Sequence, residues 1–429
     1  MDNPISYVFS CLFVLLAHAA MLVNVFINGS YSSFSDALLL AGAVLILDMA
    51  YFIAMLFFRQ SSHTIDFLLI LILNMSVIFQ SCFGGVHFAA KHYITAIAAL
   101  FACRGGYLLC RNHKWIQQQR KYFYIAIAVL ILAILTLTGS RSMWIHIGSA
   151  TIQPSEFIKP LFVLACATTI SEQQKKHKVL CFNVVYENTA LFGLIMVICL
   201  LQWWCRDLGS LPTFVGIYIS GFMLRICYPK AKLSKKSFII AGILLAVTAL
   251  LAMKFAPDYA KERLHSDIWN DRDGTGYQQS RALIAIADGG WFGKGPGKGG
   301  LCNVFAHDND IVFATICEEW GLLYGLMMIC VLLIMIAIPL INPPRSYFHG
   351  TMAAGICAAF TVQMALNIFG SCNMIPFTGV TIPFISAGGS SMIVSGFMIG
   401  MLCATQSPYF SAPAAGKRNR LPAGRRQKI

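Results

Sequence analysis

Three groups of polar and ionisable residues stand where apolar runs begin or end, at spacings that could do chemistry. Asp310 closes His307-Asp308-Asn309-Asp310 directly before Ile311-Val312-Phe313. A carboxylate with apolar neighbours is suited to accept a proton as a general base. An Asp ahead of an apolar run is also what helix capping predicts, and the two roles are compatible. The segment Gln153-Pro154-Ser155-Glu156-Phe157-Ile158-Lys159 reads as a helix start, with Pro and Ser at its head and an acid where the N-terminal dipole favours one. Glu156 and Lys159 are three apart and can pair on one face, either to hold helices together or to offer a cation to an anionic ligand. Arg206-Asp207, between two closely spaced apolar runs, carries the same two readings.

Composition defines the elements that must position these groups. Of 429 residues, 57% are hydrophobic and 12% charged, about half the charged share of a soluble globular chain. A soluble enzyme is thereby excluded. Apolar runs of membrane-spanning length recur near 6–27, 37–58, 65–85, 92–110, 122–139, 155–171, 188–204, 209–226, 237–255, 320–341, 350–370 and 384–404. The expected fold class is all-α, a polytopic membrane protein of about twelve transmembrane helices. The first run lacks a basic n-region and a convincing cleavage site, so it reads as a retained span. A charge inside a span costs about 3 kcal/mol, so Asp48, Arg104 and Lys159 each demand a partner or a function. Arg225 and Lys254, at span ends, read as snorkelling side chains.

The net charge of +14, from 32 Lys and Arg against 18 Asp and Glu, would suit a nucleic-acid surface. Its placement says otherwise. Arg111, Lys114, Arg120, Lys121, Lys175, Lys176, Lys178, Lys230, Lys232, Lys235 and Lys236 fall in loops on the side of the two termini, which the positive-inside rule makes cytoplasmic. The tail carrying Lys417, Arg418, Arg420, Arg425, Arg426 and Lys428 suits a disordered cytoplasmic end attracted to anionic membrane lipids. No nucleic-acid partner is expected.

One connection is long. Residues 256–310 form a single large extracytoplasmic loop, and loops of that length are commonly functional. Its apolar stretch Ala282 to Ala287 and glycine-rich turn Gly289-Gly290-Trp291-Phe292-Gly293-Lys294-Gly295 predict that it folds back on the outer helix ends. Gly295, Gly297 and Gly300 satisfy G-x-G-x-x-G, but no strand precedes them and no G-x-x-x-x-G-K-[ST] fits, so a nucleotide loop is rejected. The fifteen Cys read as small buried hydrophobes, with a disulfide left open among Cys205, Cys302 and Cys372. His18 reads as a packing residue, and no metal ligand set is assigned.

Taken in order, these blocks resemble the SEDS family, the multispanning peptidoglycan polymerases of shape, elongation, division and sporulation that include RodA and FtsW. The resemblance runs through Trp144-Ile145-His146-Ile147-Gly148 with Gln153-Pro154-Ser155-Glu156 and Lys159, and Asp207-Leu208-Gly209-Ser210. It continues with Tyr277-Gln278, Gly293-Lys294-Gly295 and Asp310-Ile311-Val312-Phe313 with Glu318-Glu319-Trp320-Gly321. Pro376-Phe377-Thr378-Gly379-Val380, Pro383-Phe384-Ile385-Ser386 and Gly388-Gly389-Ser390-Ser391 complete it. The chain departs from the family pattern at Met143, where an Arg is usual and Arg141 stands two positions earlier, at Arg206 for a Pro, and at Ala387 for a Tyr.

The resemblance implies a ten-helix core preceded by two additional N-terminal helices. The chain then divides into N-terminal helices (1–121), first half of the core (122–255), outer loop (256–310), second half of the core (311–404) and basic tail (405–429). It implies a glycosyltransferase of the bacterial inner membrane, with its active site on the extracytoplasmic face, that polymerises lipid II and releases undecaprenyl pyrophosphate. Asp310 falls at the family's catalytic aspartate. Lys159 held by Glu156 is the first candidate for the pyrophosphate and Arg141 the second, with Asp207, Gln278 and Lys294 as further substrate-binding candidates. Thr378, Ser386, Gly389 and Ser390 shape a broken helix end for a polar head group, or else pack helices through small residues. A divalent cation, Mg or Mn, is a candidate to share the pyrophosphate's charge, and no organic cofactor is expected. The implied partner is a class B penicillin-binding protein, a transpeptidase. Two other readings stay open: a lipid II flippase, and a non-catalytic scaffold for the transpeptidase.

Overall fold

The computed structural model describes residues 4–29, 34–57, 63–138, 142–147, 150–171, 177–179, 182–184, 186–227, 268–269, 276–344 and 346–406. Helices dominate: α1 (Pro4–Asn28), α2 (Phe34–Leu56), α3 (Thr64–Cys110), α4 (His113–Gln118), α5 (Arg120–Leu137), α6 (Pro154–Ser171), α7 (Tyr186–Trp204) and α8 (Leu211–Cys227) come first. After a gap in the described residues follow α9 (Tyr277–Gly289), α10 (Val312–Trp320), α11 (Leu322–Ile341), α12 (Tyr347–Ser371) and α13 (Gly389–Thr405). The described strands form two hairpins, β1 (Ile145–Ile147) with β2 (Ala150–Ile152) in the register Ile145 to Ile152, and β3 (His177–Val179) with β4 (Phe182–Val184). This is an all-α polytopic membrane protein. Among the described residues, seven helical segments have the length and apolarity to cross a bilayer, and shorter apolar helices accompany them.

Eleven of the expected spans coincide with helix; the twelfth, 237–255, lies outside the described residues, as do Arg141, Lys254 and most of the basic tail. The third and fourth spans are joined in α3, which breaks at Gly85 with φ 80° and ψ 176°. Ser76 Oγ and His92 Nε2 are 2.6 Å apart across that break, whereas sixteen residues of straight helix would separate them by about 24 Å. The two halves therefore fold back on one another.

Two expected spans start later than their apolar runs. Gly321, with φ 87°, splits α10 from α11, and the Trp291 carbonyl of the loop approaches where a Cβ would stand. The run at 384–404 becomes helical only at Gly389, because Phe384 takes φ 68° and residues 383–388 turn irregularly. The thiols of Cys205, Cys302 and Cys372 are free. His18 is more than a packing residue: it is fully buried, and its Nδ1 lies 2.7 Å from Asp48 Oδ2.

The core centres on α13 against α3. Cβ atoms built at Gly396 and Gly400 would overlap the Ala99 and Cys103 carbonyls, so the backbones meet directly, as small residues allow in membranes. Gly400→Ala should lower stability by about 1–3 kcal/mol through overpacking, seen as a lower unfolding midpoint of the detergent-solubilised chain. An unchanged midpoint would show that the helices separate freely.

The described part of the large loop does fold back. Ala282 and Ala285 of α9 bury with Leu301, Val304, Ile311 and Ala314, and Phe377 packs on them. The loop thus shares a small apolar core with the start of α10.

Candidate active site

Asp310 stands at the end of a turn built on Ala306, which takes φ 59° and whose carbonyl receives the amides of Asn309, Asp310 and Ile311. The N-cap position of α10 falls on Ile311, one residue further on. The Asp310 carboxylate is partly buried beneath the irregular segment between α12 and α13. A Cβ at Gly379, where φ is 66°, would lie 3.2 Å from Asp310 Oδ2. Only glycine combines that backbone with that approach.

Buried amides hold this turn in place. Asn367 of α12 donates from Nδ2 to the carbonyls of Asp310 at 2.8 Å and Val380 at 2.7 Å. Gln80 of α3 donates from Nε2 to Asp308 O at 3.1 Å and Ile385 O at 2.9 Å. Ser386 donates to Asn309 O at 2.7 Å while its Oγ accepts from Ile382 N. The Ser386 hydroxyl is thus engaged with backbone and helps to shape the irregular segment ahead of α13. Positive φ values at non-glycine residues gather here, at Ala306 and Phe384 and at Arg206 nearby, and strained backbone of this kind clusters at functional sites.

The second and third groups of candidates meet where α6 and α8 begin and α7 ends. Lys159 Nζ lies 2.6 Å from Glu156 Oε1, both side chains almost fully buried. Asp207 receives Ser210 N at 3.2 Å, Ser210 Oγ at 2.8 Å and Gln153 Nε2 at 3.3 Å. Burial raises the Asp207 pKa; the Ser210 hydrogen bonds and the Lys159 charge oppose this, and Glu156 adds to it. A Cβ at Gly209 would come within 2.7 Å of Thr378 O, so the Asp207 turn packs on the same segment that covers Asp310. Arg206 has φ 59°, a value closed to the proline usual at this position. Ser155 Oγ, Thr213 Oγ1, Thr378 Oγ1 and both amide atoms of Gln202 are buried without hydrogen-bond partners. Groups of that kind call for a polar ligand or water.

Gln278 and Lys294 serve the loop. Gln278 Nε2 donates to Phe305 O at 2.9 Å. Lys294 Nζ pairs with Glu318 at 2.9 Å and Asp288 at 3.0 Å, contacts that raise its pKa. Gly389 opens α13 beside Thr95, and Ser390 is partly buried.

Glu318 and Glu319, to which the sequence assigns no role, anchor the loop. Glu318 accepts from Gly300 N at 2.9 Å and Leu301 N at 2.8 Å, and Glu319 from Gly297 N at 2.8 Å. Their signal was two adjacent acids beside an apolar span. Gln80 and Asn367 carry no comparable signal, since single amides inside apolar runs look like packing residues.

Glu319 lies on short α10, outside the candidate spans, and its pKa is raised to about 7, chiefly by burial. The folded chain therefore holds this proton more tightly than the unfolded one. Its stabilising effect is full below about pH 4.5 and is lost as the pH rises through about 7. Hydrogen exchange of residues 295–301 should accordingly quicken between pH 6 and 8 beyond the intrinsic base-catalysed rise, and Glu319→Gln should flatten that excess.

Among the described residues, no three metal-ligating groups gather at this site. Among the described residues, one group of three ligand atoms lies close enough together, Asp66, Cys103 and Cys403, and Asp66 there is bound by Arg104 at 2.6 Å. Glu156, Asp207 and Asp310 each have protein contacts of their own.

The family described as cell cycle protein, FtsW, RodA and SpoVE, matches residues 53–408. The chain belongs to that family. It is 28% identical over 288 residues to stage V sporulation protein E of Bacillus subtilis, covering 65% of this chain and 75% of that one. It is 30% identical over 295 residues to the probable peptidoglycan glycosyltransferase FtsW of Alcanivorax borkumensis, covering 65% and 73%. In fold it is similar to a chain of a solved peptidoglycan synthase complex that coordinates polymerisation and crosslinking, with TM-score 0.62, 19% identity, and coverage of 80% and 97%. The crystal structure of the rod shape determining protein RodA of Thermus thermophilus aligns with TM-score 0.54, 16% identity, and coverage of 82% and 97%.

Proposed function

We propose that this chain is a peptidoglycan glycosyltransferase of the bacterial inner membrane that joins lipid II units on the extracytoplasmic face, with both termini in the cytoplasm. The observation that carries the proposal is the placement of Asp310: one partly buried carboxylate, fixed through its own backbone by Asn367 and covered by the Gly379 turn. A sugar hydroxyl of one lipid II attacks the anomeric carbon of the other. The bond from that carbon to the pyrophosphate breaks, undecaprenyl pyrophosphate leaves, and Asp310 takes the hydroxyl proton. Lys159 meets the negative charge of the departing pyrophosphate. Asp207 with Ser210, and the unpartnered hydroxyls of Ser155, Thr213 and Thr378, offer hydrogen bonds to a polar head group. A divalent cation accompanying the pyrophosphate would share its negative charge.

The partner consistent with this reading is a class B penicillin-binding protein, which would crosslink the strands. The test is glycan formation from purified lipid II by the full chain in lipid nanodiscs, with and without such a partner. Product supports the polymerase. A folded, partnered chain that makes none would favour lipid transport or scaffolding.

A further inference from the structure

The family match begins at residue 53, which leaves α1 and nearly all of α2 outside it. These helices are nonetheless locked to the core by buried polar groups. His18 Nδ1 meets Asp48 Oδ2 at 2.7 Å, and His18 Nε2 meets the Leu71 carbonyl at 3.1 Å. Asn74 Nδ2 donates to Asp48 Oδ1 at 2.8 Å and to Val44 O at 3.2 Å. His18, Asp48 and Asn74 are fully buried. Tyr7 OH donates to Phe52 O and Tyr93 OH to Ala43 O. A slip of α1 by one residue would turn His18 by about 100° and strand both ionisable groups in an apolar interior. The network therefore permits one register.

That register sets where α1 ends. Asn28, about 15 Å beyond His18 along the helix, presents its carbonyl to the outer loop, and a Cβ at Gly295 would lie 3.1 Å from it. Gly295 N donates to Glu319 O at 2.9 Å, and Gly297 N to the Glu319 carboxylate. Glu319 lies on α10, the helix that Asp310 precedes. A continuous path runs from His18 through the end of α1 and the glycine turn to the helix behind Asp310.

We propose that α1 and α2 form an intramembrane clamp that positions the glycine segment of the outer loop, with His18 and Asp48 as the positioning pair that sets its register. The catalytic consequence rests on the polymerase reading; the mechanical one does not. Hydrogen exchange of the full chain in nanodiscs reads the clamp directly. His18→Ala should speed exchange at residues 293–301 by about tenfold, the size of a local opening made easier by one lost buried contact. His18→Asn, whose amide can stand where Nδ1 stood and still donate to Asp48, should restore most of the protection. Faster exchange confined to α1, with 293–301 unchanged, would overturn the proposal.

Should His18→Ala fail to fold, a benzophenone amino acid at position 28 of the otherwise native chain reads the contact itself. Crosslinking to the 289–303 peptide supports the clamp, and crosslinking to lipid alone overturns it. If the chain polymerises lipid II, His18→Ala should lower kcat with KM for lipid II unchanged, and His18→Asn should recover kcat. Failure of the polymerase reading removes this last readout and leaves the exchange and crosslinking results intact.

Discussion

Asp310→Asn should lower glycan formation from lipid II by about 10²–10⁴-fold, the usual contribution of a positioned general base, while the chain stays folded. The substitution keeps side-chain shape, and the backbone contacts of the turn do not depend on the carboxylate: Asn367 binds the Asp310 carbonyl, and the Asp310 amide binds Ala306 O. A loss of activity at an unchanged unfolding midpoint therefore reports on chemistry. Asp308→Asn is the matched control, because Gln80 and Ala387 meet the Asp308 carbonyl and not its side chain. Its rate should stay within about twofold of native, as for substitutions within half a kcal/mol. Equal activity of the Asp310 variant and the native chain would move the base elsewhere, and equal loss in both variants would show a turn that fails for structural reasons.

How far such a site can be read from sequence depends on the kind of force that builds it. The spans were legible because bilayer thickness demands long apolar runs, and Pro154, Ser155 and Glu156 marked the start of α6 by rules local to one turn. The Glu156 and Lys159 pair was legible for the same reason, since three residues on a helix bring two side chains together. Gly321 and Phe384 were not. Each breaks a run whose apolar character continues, because another segment approaches there: the Trp291 carbonyl at Gly321, and the Asp308 to Asn309 backbone beside the turn at Ile385 and Ser386. Gln80 contributes from a distance of 228 residues, and no local pattern carries information of that range. The same limit hid the role of Glu318 and Glu319, whose partners lie in a loop that closes only once the helices have assembled.

Lys159 offers the sharpest separation of fold from function. Lys159→Ala should destabilise the chain by about 3–5 kcal/mol, because it leaves the buried Glu156 carboxylate without its cation. It also removes the charge that favours the ionised form of Asp207. Lost activity in that variant would say nothing about catalysis. The double variant Glu156→Gln with Lys159→Met resolves this, since replacing a buried ion pair by neutral groups of similar volume is often close to neutral for stability. Its unfolding midpoint should return near the native one, while glycan formation stays about 10²–10³-fold down, the loss typical of removing one preorganised charge-stabilising group. The two measurements must diverge if Lys159 meets the pyrophosphate. Should the double variant polymerise at the native rate, the pair is only a tie between helices, and Arg141 becomes the cation to test against the leaving group.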